Sequence, residues 1–348
     1  MKDIENLKRS LKSKDNPSQQ KGLSTGSTLL NLACSGDPYY GLLPGHIYLL
    51  VGDSNAGKTW IAHSIFAEAA NSSTYSKYRL IYDNPEDGAL MDIERYFGKN
   101  TAQRIEPYHS ETVEAFYYHI DKLKDAPFVY VLDSMDALSS ESEESKFEEQ
   151  CKAAEKGKET SGSYGTAKAK ANAAGCRLAL ARIKKIGSIV IIICQTRANL
   201  GFGSQFNPKT RSGGLALQFY ATIEMWLSIK ERLRGRILGK DRQQGILSRI
   251  QVKRTRITGR EHTVEVPIYH SCGIDEIGSC VDWLVEEKHW KESKGIISAK
   301  EFGCHKSRED IVKVIEGKGQ ENQLRELVAT VWREIDTACE IKRKPRYT

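Results

Sequence analysis

"HIYLLVGDSNAGKT", His46 to Thr59, joins an apolar run to a glycine-rich turn that ends in Lys-Thr. The first half reads as a strand buried on both faces, because Ile47 to Val51 leave no polar side to turn toward water. The second half fits Gly-x4-Gly-Lys-Thr, the phosphate loop, in the setting that motif needs, after a strand and opening a helix. Gly52, Asp53, Ser54, Asn55, Ala56 and Gly57 are then expected to curl backbone N–H groups around phosphates at the positive end of that helix. Lys58 is placed to reach the β- and γ-phosphates and the Thr59 hydroxyl to ligate magnesium, with Trp60 following in the first turn. ATP or a related triphosphate, with Mg2+, is the expected cofactor.

Similar strands recur downstream in "YRLIYD", "FVYVLD" and "SIVIIICQ", separated by helical patterns over residues 59–70, 111–124 and 167–185. That alternation predicts an α/β fold class, a mostly parallel central sheet flanked by helices. In "TIEMWLSIK" the period changes to two, and residues 248–256 and 262–270 also alternate, so an antiparallel extension is expected. Residues 1–32, with Ile4, Leu7 and Leu11 at helical spacing, read as a small N-terminal helix and linker that serves oligomerisation. Residues 33–272 form the core, and 273–348 a small α-rich C-terminal domain with a basic tail. The Ser-, Glu-, Lys- and Gly-rich stretch 139–166 is expected to be a mobile loop.

With 39% hydrophobic and 28% charged residues in 348, the chain has an ordinary globular composition. Its longest aliphatic stretch, Ile189 to Ile193, is too short for a bilayer, and "MKDIENLKRSLKSKDN" lacks the apolar centre of a secretory signal. The expected location is the cytoplasm, away from any membrane. None of the eight cysteines forms a Cys-x-x-Cys pair, and Cys272, Cys280, Cys304 and His305 match no zinc-ligand spacing, so reduced thiols are expected. The net charge of +7 is concentrated: residues 230–262 hold eleven Lys or Arg against Glu231, Asp241 and Glu261. Such a patch points to a polyanionic partner, nucleic acid first and a membrane surface second.

Asp133 ends the strand "FVYVLD" and is placed to hold a magnesium-bound water as a Walker B carboxylate, while Asp83, Glu86 or Asp87 in "YDNPEDG" offers an acid to orient an attacking water. The last core strand runs into "CQTRANLGFGSQFNPKTRSGGLALQFY", Cys194 to Tyr220. A loop this long, with three positive charges and no negative one, is either disordered or functional.

In order and content these motifs resemble the bacterial RecA recombinases. "LSTGSTLLNLACSGDPYYGLLPGHIYLLVGDSNAGKT", "VLDSMDAL", the Gln195 to Ala221 stretch, "RTRITGREHTVEVPI" and "VDWLVEEKHWKE" all align with that family, over about residues 23–292. The resemblance implies a RecA-like ATPase core that forms helical filaments on single-stranded DNA and pairs that strand with homologous double-stranded DNA. DNA-stimulated ATP hydrolysis is implied as well. Glu86 resembles the catalytic glutamate, although Asp83-Asn84-Pro85-Glu86 is one residue longer than the family's Asp-x-Glu. Gln195 matches the γ-phosphate sensor, and Arg254 and Arg256 a basic pair that reaches the neighbouring subunit's ATP site, where the family usually has lysines. Arg197, Asn199, Leu200, Gly201, Phe202, Lys209, Arg211, Gly213 and Gly214 match the second DNA-binding loop, with Leu200 as the base wedge and the glycine pair as hinge. Lys209 and Arg211 stand where the family is acidic or neutral, so stronger phosphate contact is expected. Phe219 matches an aromatic at the subunit interface. The divergence would suit a phage gene, and the implied location is a bacterial or phage-infected host cytoplasm. Two alternatives stay open: an accessory paralogue that binds ATP and single-stranded DNA but hydrolyses poorly, and a hexameric helicase-type motor.

Overall fold

The computed structural model describes residues 22–88, 91–155, 167–198, 209–343 and 346. Along the chain come α1 (Thr28–Ser35), β1 (His46–Gly52), α2 (Lys58–Asn71), β2 (Arg79–Asp83), α3 (Ile93–Phe97), α4 (Lys99–Arg104), β3 (Ile105–Tyr108), α5 (Val113–Lys122) and β4 (Phe128–Leu132). Next are α6 (Glu141–Ala154), α7 (Ala167–Ile186), β5 (Ile189–Ala198), β6 (Lys209–Arg211), α8 (Gly214–Tyr220), β7 (Ile223–Ile237), β8 (Lys240–Thr255) and β9 (His262–Tyr269). The chain closes with β10 (Gly273–Ile274), α9 (Glu276–Glu286), β11 (Lys291–Ser293), β12 (Ile296–Ala299), β13 (Cys304–Lys306), α10 (Arg308–Lys318) and α11 (Glu321–Ala338).

The main sheet has the order β10-β9-β8-β7-β1-β5-β4-β2-β3, with β6 added antiparallel to β5. From β7 to β3 neighbouring strands are parallel, and from β7 to β10 they are antiparallel. This is the α/β architecture that the strand–helix alternation predicts. The apolar runs work as expected of two-faced strands: in β1, Tyr48 and Leu50 join a core shared with α1, α2 and the C-terminal helices. Ile47, Leu49 and Val51 join the opposite core, under α5 and α7. Trp283 of α9 and Trp332 of α11 stack at 5.6 Å and belong to the first of these cores.

Three local features differ from expectation. Glu141–Ala154 within the 139–166 stretch is a helix, nucleated by a capping box in which the Ser140 side chain accepts from Glu143 N and Glu143 bonds back to Ser140 N. None of its residues is buried, so it has the composition of a solvated segment. The edge strand β3, "IEPY", carries no apolar run and contains a proline, which only an edge tolerates. The alternation that the sequence shows to Lys230 continues as a strand to Ile237, where Leu238 (φ 51°) and Gly239 (φ 76°) turn the chain into β8.

Candidate functional site

Parallel strands deliver their carboxyl ends to one edge of the sheet, where α/β folds place ligands. Here the loops leaving β1, β2 and β4, with β7, β8 and β9 opposite, surround a cavity of about 580 Å3 lined by Lys58, Thr59, Glu86, Asp133, Trp60 and Asn55 among others. Gly52 of β1 lies opposite Gln195 of β5 in register, so the loops leaving the two strands start side by side.

The phosphate loop is built as its sequence requires. Gly57 takes φ 97°, which favours glycine, and a Cβ there would lie 2.5 Å from Ile268 Cδ1. Among the described residues no side chain caps the N-terminus of α2, so its first N–H groups are open to an anion at the positive end of the dipole. Ala56 is buried, and its carbonyl accepts from Ser248 Oγ at 2.7 Å. The Lys58 ammonium donates to Gly52 O (2.9 Å) and Asp53 O (2.7 Å), and burial lowers its pKa. Thr59 Oγ1 donates to Asp133 Oδ2 (2.7 Å), and the Tyr82 hydroxyl donates to the same oxygen (3.1 Å). Burial raises the Asp133 pKa against these two donors. Trp60 lies edge-on to Tyr96, ring centroids 5.0 Å apart.

Of the three acids in "YDNPEDG", the structure separates one. Asp83 is fully buried and accepts from Ser110 N (2.8 Å), Ser110 Oγ (2.6 Å) and Tyr130 OH (2.6 Å). Asp87 sits at positive φ (52°) in the exposed turn. Glu86 alone of the three lines the cavity. Its Oε1 accepts from Ser134 Oγ and from Gln195 Nε2 (3.2 Å).

At the root of the long loop, two carboxylates flank β5. On one side Asp136 accepts from Gln195 N (2.7 Å), Ser212 Oγ (2.6 Å) and Arg197 Nη2 (3.2 Å). On the other, the phosphate-loop carboxylate of Asp53 accepts from Thr196 Oγ1 and is ion-paired with Lys209. The hydrogen bonds from Lys209 and then Thr196 lower the Asp53 pKa. Ser134, Asp136 and Thr196 are not singled out as site residues in the sequence because their roles depend on which strands are neighbours; Ser134 and Asp136, inside "VLDSMDAL", sit in a motif that could have flagged them.

The basic residues assigned to DNA divide. Arg197 is exposed, and Lys209 half-exposed on its pair with Asp53. Arg211 is instead buried: its Nε donates to Glu224 Oε1 at 2.7 Å, with side-chain exposures of 6% and 3%, and its Nη1 donates to Gly214 O at 2.9 Å. Expected as a phosphate contact, it is committed here to the protein interior. Gly213 and Gly214 both adopt left-handed φ (83° and 78°), and a Cβ on Gly214 would lie 2.8 Å from Ala169 Cβ. Asn199, Leu200, Gly201 and Phe202 lie outside the described residues. Phe219 is 63% exposed, and Arg254 and Arg256 lie beside it: Arg254 Nη1 donates to Gln218 O (2.7 Å) and Arg256 Nη2 to Phe219 O.

Oxygen donors from Thr59 and Asp133 beside a buried lysine and an uncapped helix N-terminus suit a hard divalent cation and a polyphosphate. Among the described residues no cluster of three His, Cys, Asp or Glu could hold a metal by itself, and no helix is long and apolar enough to cross a membrane.

Sheet order, uncapped α2 and the Lys58–Thr59–Asp133 constellation define a phosphate-loop α/β protein. A family model for the RecA N-terminal domain matches residues 129–275. The RecA protein of Cytophaga hutchinsonii is 26% identical over 284 residues, covering 76% of this chain and 68% of that protein. That of Parvibaculum lavamentivorans is 28% identical over 273 residues (75% and 66%), and that of Rippkaea orientalis 26% over 318 residues (87% and 82%). The chain is thus similar to RecA proteins over 75–87% of its length in these three comparisons.

Proposed function

We propose that the protein is an ATP-dependent homologous recombinase that assembles head to tail on single-stranded DNA and pairs it with a homologous duplex. The observation that carries this reading is the bond from Gln195 Nε2 to Glu86 Oε1, which joins the acid of the phosphate cavity to the strand that opens the long basic loop.

Lys58 leaves the Gly52 and Asp53 carbonyls for the phosphates, its ammonium being a stronger partner for an anion than for two neutral oxygens. Thr59 and Asp133 would hold Mg2+, whose charge would offset that of the phosphates. Glu86 acts as general base through Oε2, since both Ser134 and Gln195 bond to Oε1 and keep the carboxylate aimed. Gln195 can donate to only a limited set of acceptors at once, so drawing its amide toward a γ-phosphate weakens its hold on Glu86 and shifts the loop behind it. Arg254 and Arg256, beside exposed Phe219, form the face offered to the next subunit, supplying delocalised charge across the interface.

ATP hydrolysis measured with and without single-stranded DNA, with electron microscopy of the same mixtures, tests the reading. Stimulated turnover and helical filaments are the expected outcome. Closed rings would make the chain a helicase-type motor, and DNA-coated filaments with negligible turnover an ATP-binding accessory protein.

A further inference from the structure

The strongest charge concentration in the sequence is not absorbed by the nucleotide cavity or by the long loop. It lies on the β7–β8 hairpin. Strand β9 pairs with β8 only from Gly245 to Val252, so beyond Gly245 the hairpin continues as a two-stranded ribbon. No residue from Lys230 to Ile237 or from Lys240 to Gln244 is buried. The two-stranded part of β7, from Arg234 to Ile237, is about 13 Å long at the usual strand rise.

Its chemistry is uneven in a useful way. Lys230 is paired with Glu265 and Arg234 with Asp241. Arg232, Arg236, Lys240 and Arg242 have no ion pair among the described residues, and they surround a tip whose Leu238 is 90% exposed and Ile237 40% exposed. An unpaired cationic ribbon tipped by a bare aliphatic side chain is charge-complementary to a polyphosphate that also offers an apolar surface to a wedge. Duplex DNA has both: phosphates along its backbones, a major groove of about 12 Å that admits a two-stranded ribbon, and base steps that aliphatic wedges can part.

We propose that residues 230–244 form an arm that binds duplex DNA, with Arg236, Lys240 and Arg242 on phosphates and Leu238 against a base step. Two observations favour duplex over the other polyanions. Surfaces for single strands present aromatic rings on which bases stack, and the segment from Lys230 to Gln244 contains no aromatic residue. Elements that lie on a membrane are anchored by Trp or Tyr at the interface, which are absent for the same reason. The arm is rooted at the nucleotide cavity, whose wall includes Ile229, Arg232, Gln243 and Ile246. A duplex held by the arm therefore bears on the rim of the nucleotide site. The assignment stands apart from strand exchange: the arm binds duplex DNA whether or not the chain is a recombinase.

The test uses the full chain, a labelled duplex and a labelled single strand of the same sequence, with affinities measured across a salt titration. The variant is Arg236→Ala/Lys240→Ala/Arg242→Ala; Arg232 is left in place because it lines the nucleotide cavity. Duplex affinity is expected to fall at least about tenfold, and the slope of log affinity against log salt by about 2 to 3, near 0.9 for each phosphate no longer neutralised. Single-strand affinity and the thermal unfolding midpoint stay at parental values. Leu238→Asn, which suits the positive-φ turn, is expected to keep the slope but reduce duplex bending read by end-to-end energy transfer. Unchanged duplex affinity and slope in the triple variant overturn the proposal, as does an equal loss for single and double strands. Lost binding to phosphatidylserine vesicles with duplex binding intact overturns it in favour of a membrane surface, and an unchanged bend in Leu238→Asn removes the wedge. Failure of the recombinase reading shows separately, in the parent chain, as no ATP-dependent binding of the single strand.

Discussion

Strand β6 carries two cations two residues apart, and the structure uses them in opposite ways. Arg211 is buried with Glu224, a pair further held by Gln218 Nε2 on Glu224 Oε2 at 3.4 Å. Lys209 pairs with Asp53 in the open, with side-chain exposures of 54% and 44%. Water and salt compete with the second pair and not with the first, so the two differ less in attraction than in what happens when they part. Arg211 has no alternative partner without leaving a desolvated charge behind; Lys209 can exchange a carboxylate for a phosphate. The basic loop root is therefore half anchor and half hand.

Glu224→Ala should show the largest effect. It leaves the Arg211 guanidinium buried and unpaired, and about 3–5 kcal/mol of unfolding free energy is expected to disappear in urea titrations. Arg211→Met combined with Glu224→Leu should recover most of it. A loss under about 1 kcal/mol would put this pair in the same class as the exposed one.

His63 extends the contrast to a buried group without a hydrogen-bond partner among the described residues. It lies on α2 against Tyr82 and Phe66, ring centroids at 4.7 and 6.0 Å, and neither ring nitrogen has a hydrogen-bond partner among the described residues. Burial lowers its pKa from 6.5 to about 4. The folded state then binds fewer protons than the unfolded one between those values, so the neutral ring's contribution is intact above pH 6.5 and is lost as pH falls toward 4. The loss should reach about 3 kcal/mol. Comparing denaturant midpoints across that range, His63→Leu should flatten this part of the profile, and an unaltered profile would assign the acid sensitivity elsewhere.

The smallest stability effect is expected at the exposed pair. Asp53→Asn should change unfolding free energy by less than about 1 kcal/mol while releasing Lys209. Nucleotide-free binding to single-stranded DNA should tighten, with a salt slope steeper by about 0.7. Adding Lys209→Ala to Asp53→Asn should remove the gain. If Asp53→Asn leaves the slope where it was, Lys209 is no more exchangeable than Arg211.

Much of the fold and of the candidate nucleotide site is legible in residue order. The central strands announce themselves because burial on both faces leaves unbroken Ile, Val, Leu and Tyr runs, and the phosphate loop because a fixed spacing of Gly, Lys and Thr serves a fixed ligand geometry. The edge strand Ile105–Tyr108 has no such run, and helix Glu141–Ala154 buries nothing, so neither leaves a hydrophobic trace. Charge read along the chain also misjudges Arg211, since its partner Glu224 lies two elements away and only the fold of α8 back onto β7 encloses both. Likewise Asp53 and Thr196 are 143 positions apart and meet only because β5 is the neighbour of β1. Local patterns record what each segment buries, whereas the ties between loops record which strands sit side by side.

The in-register pairing of Gly52 with Gln195 has a consequence for variation. The spacing between the glycine-rich loop and Gln195, the proposed sensor, is set by backbone ladder bonds upstream of both loops, so it does not depend on the residues beyond Ala198. On the proposed function, the long loop can gain, lose or exchange residues as a replaceable tool-head does, while the calibration between triphosphate and Gln195 stays with the strand pair that holds it.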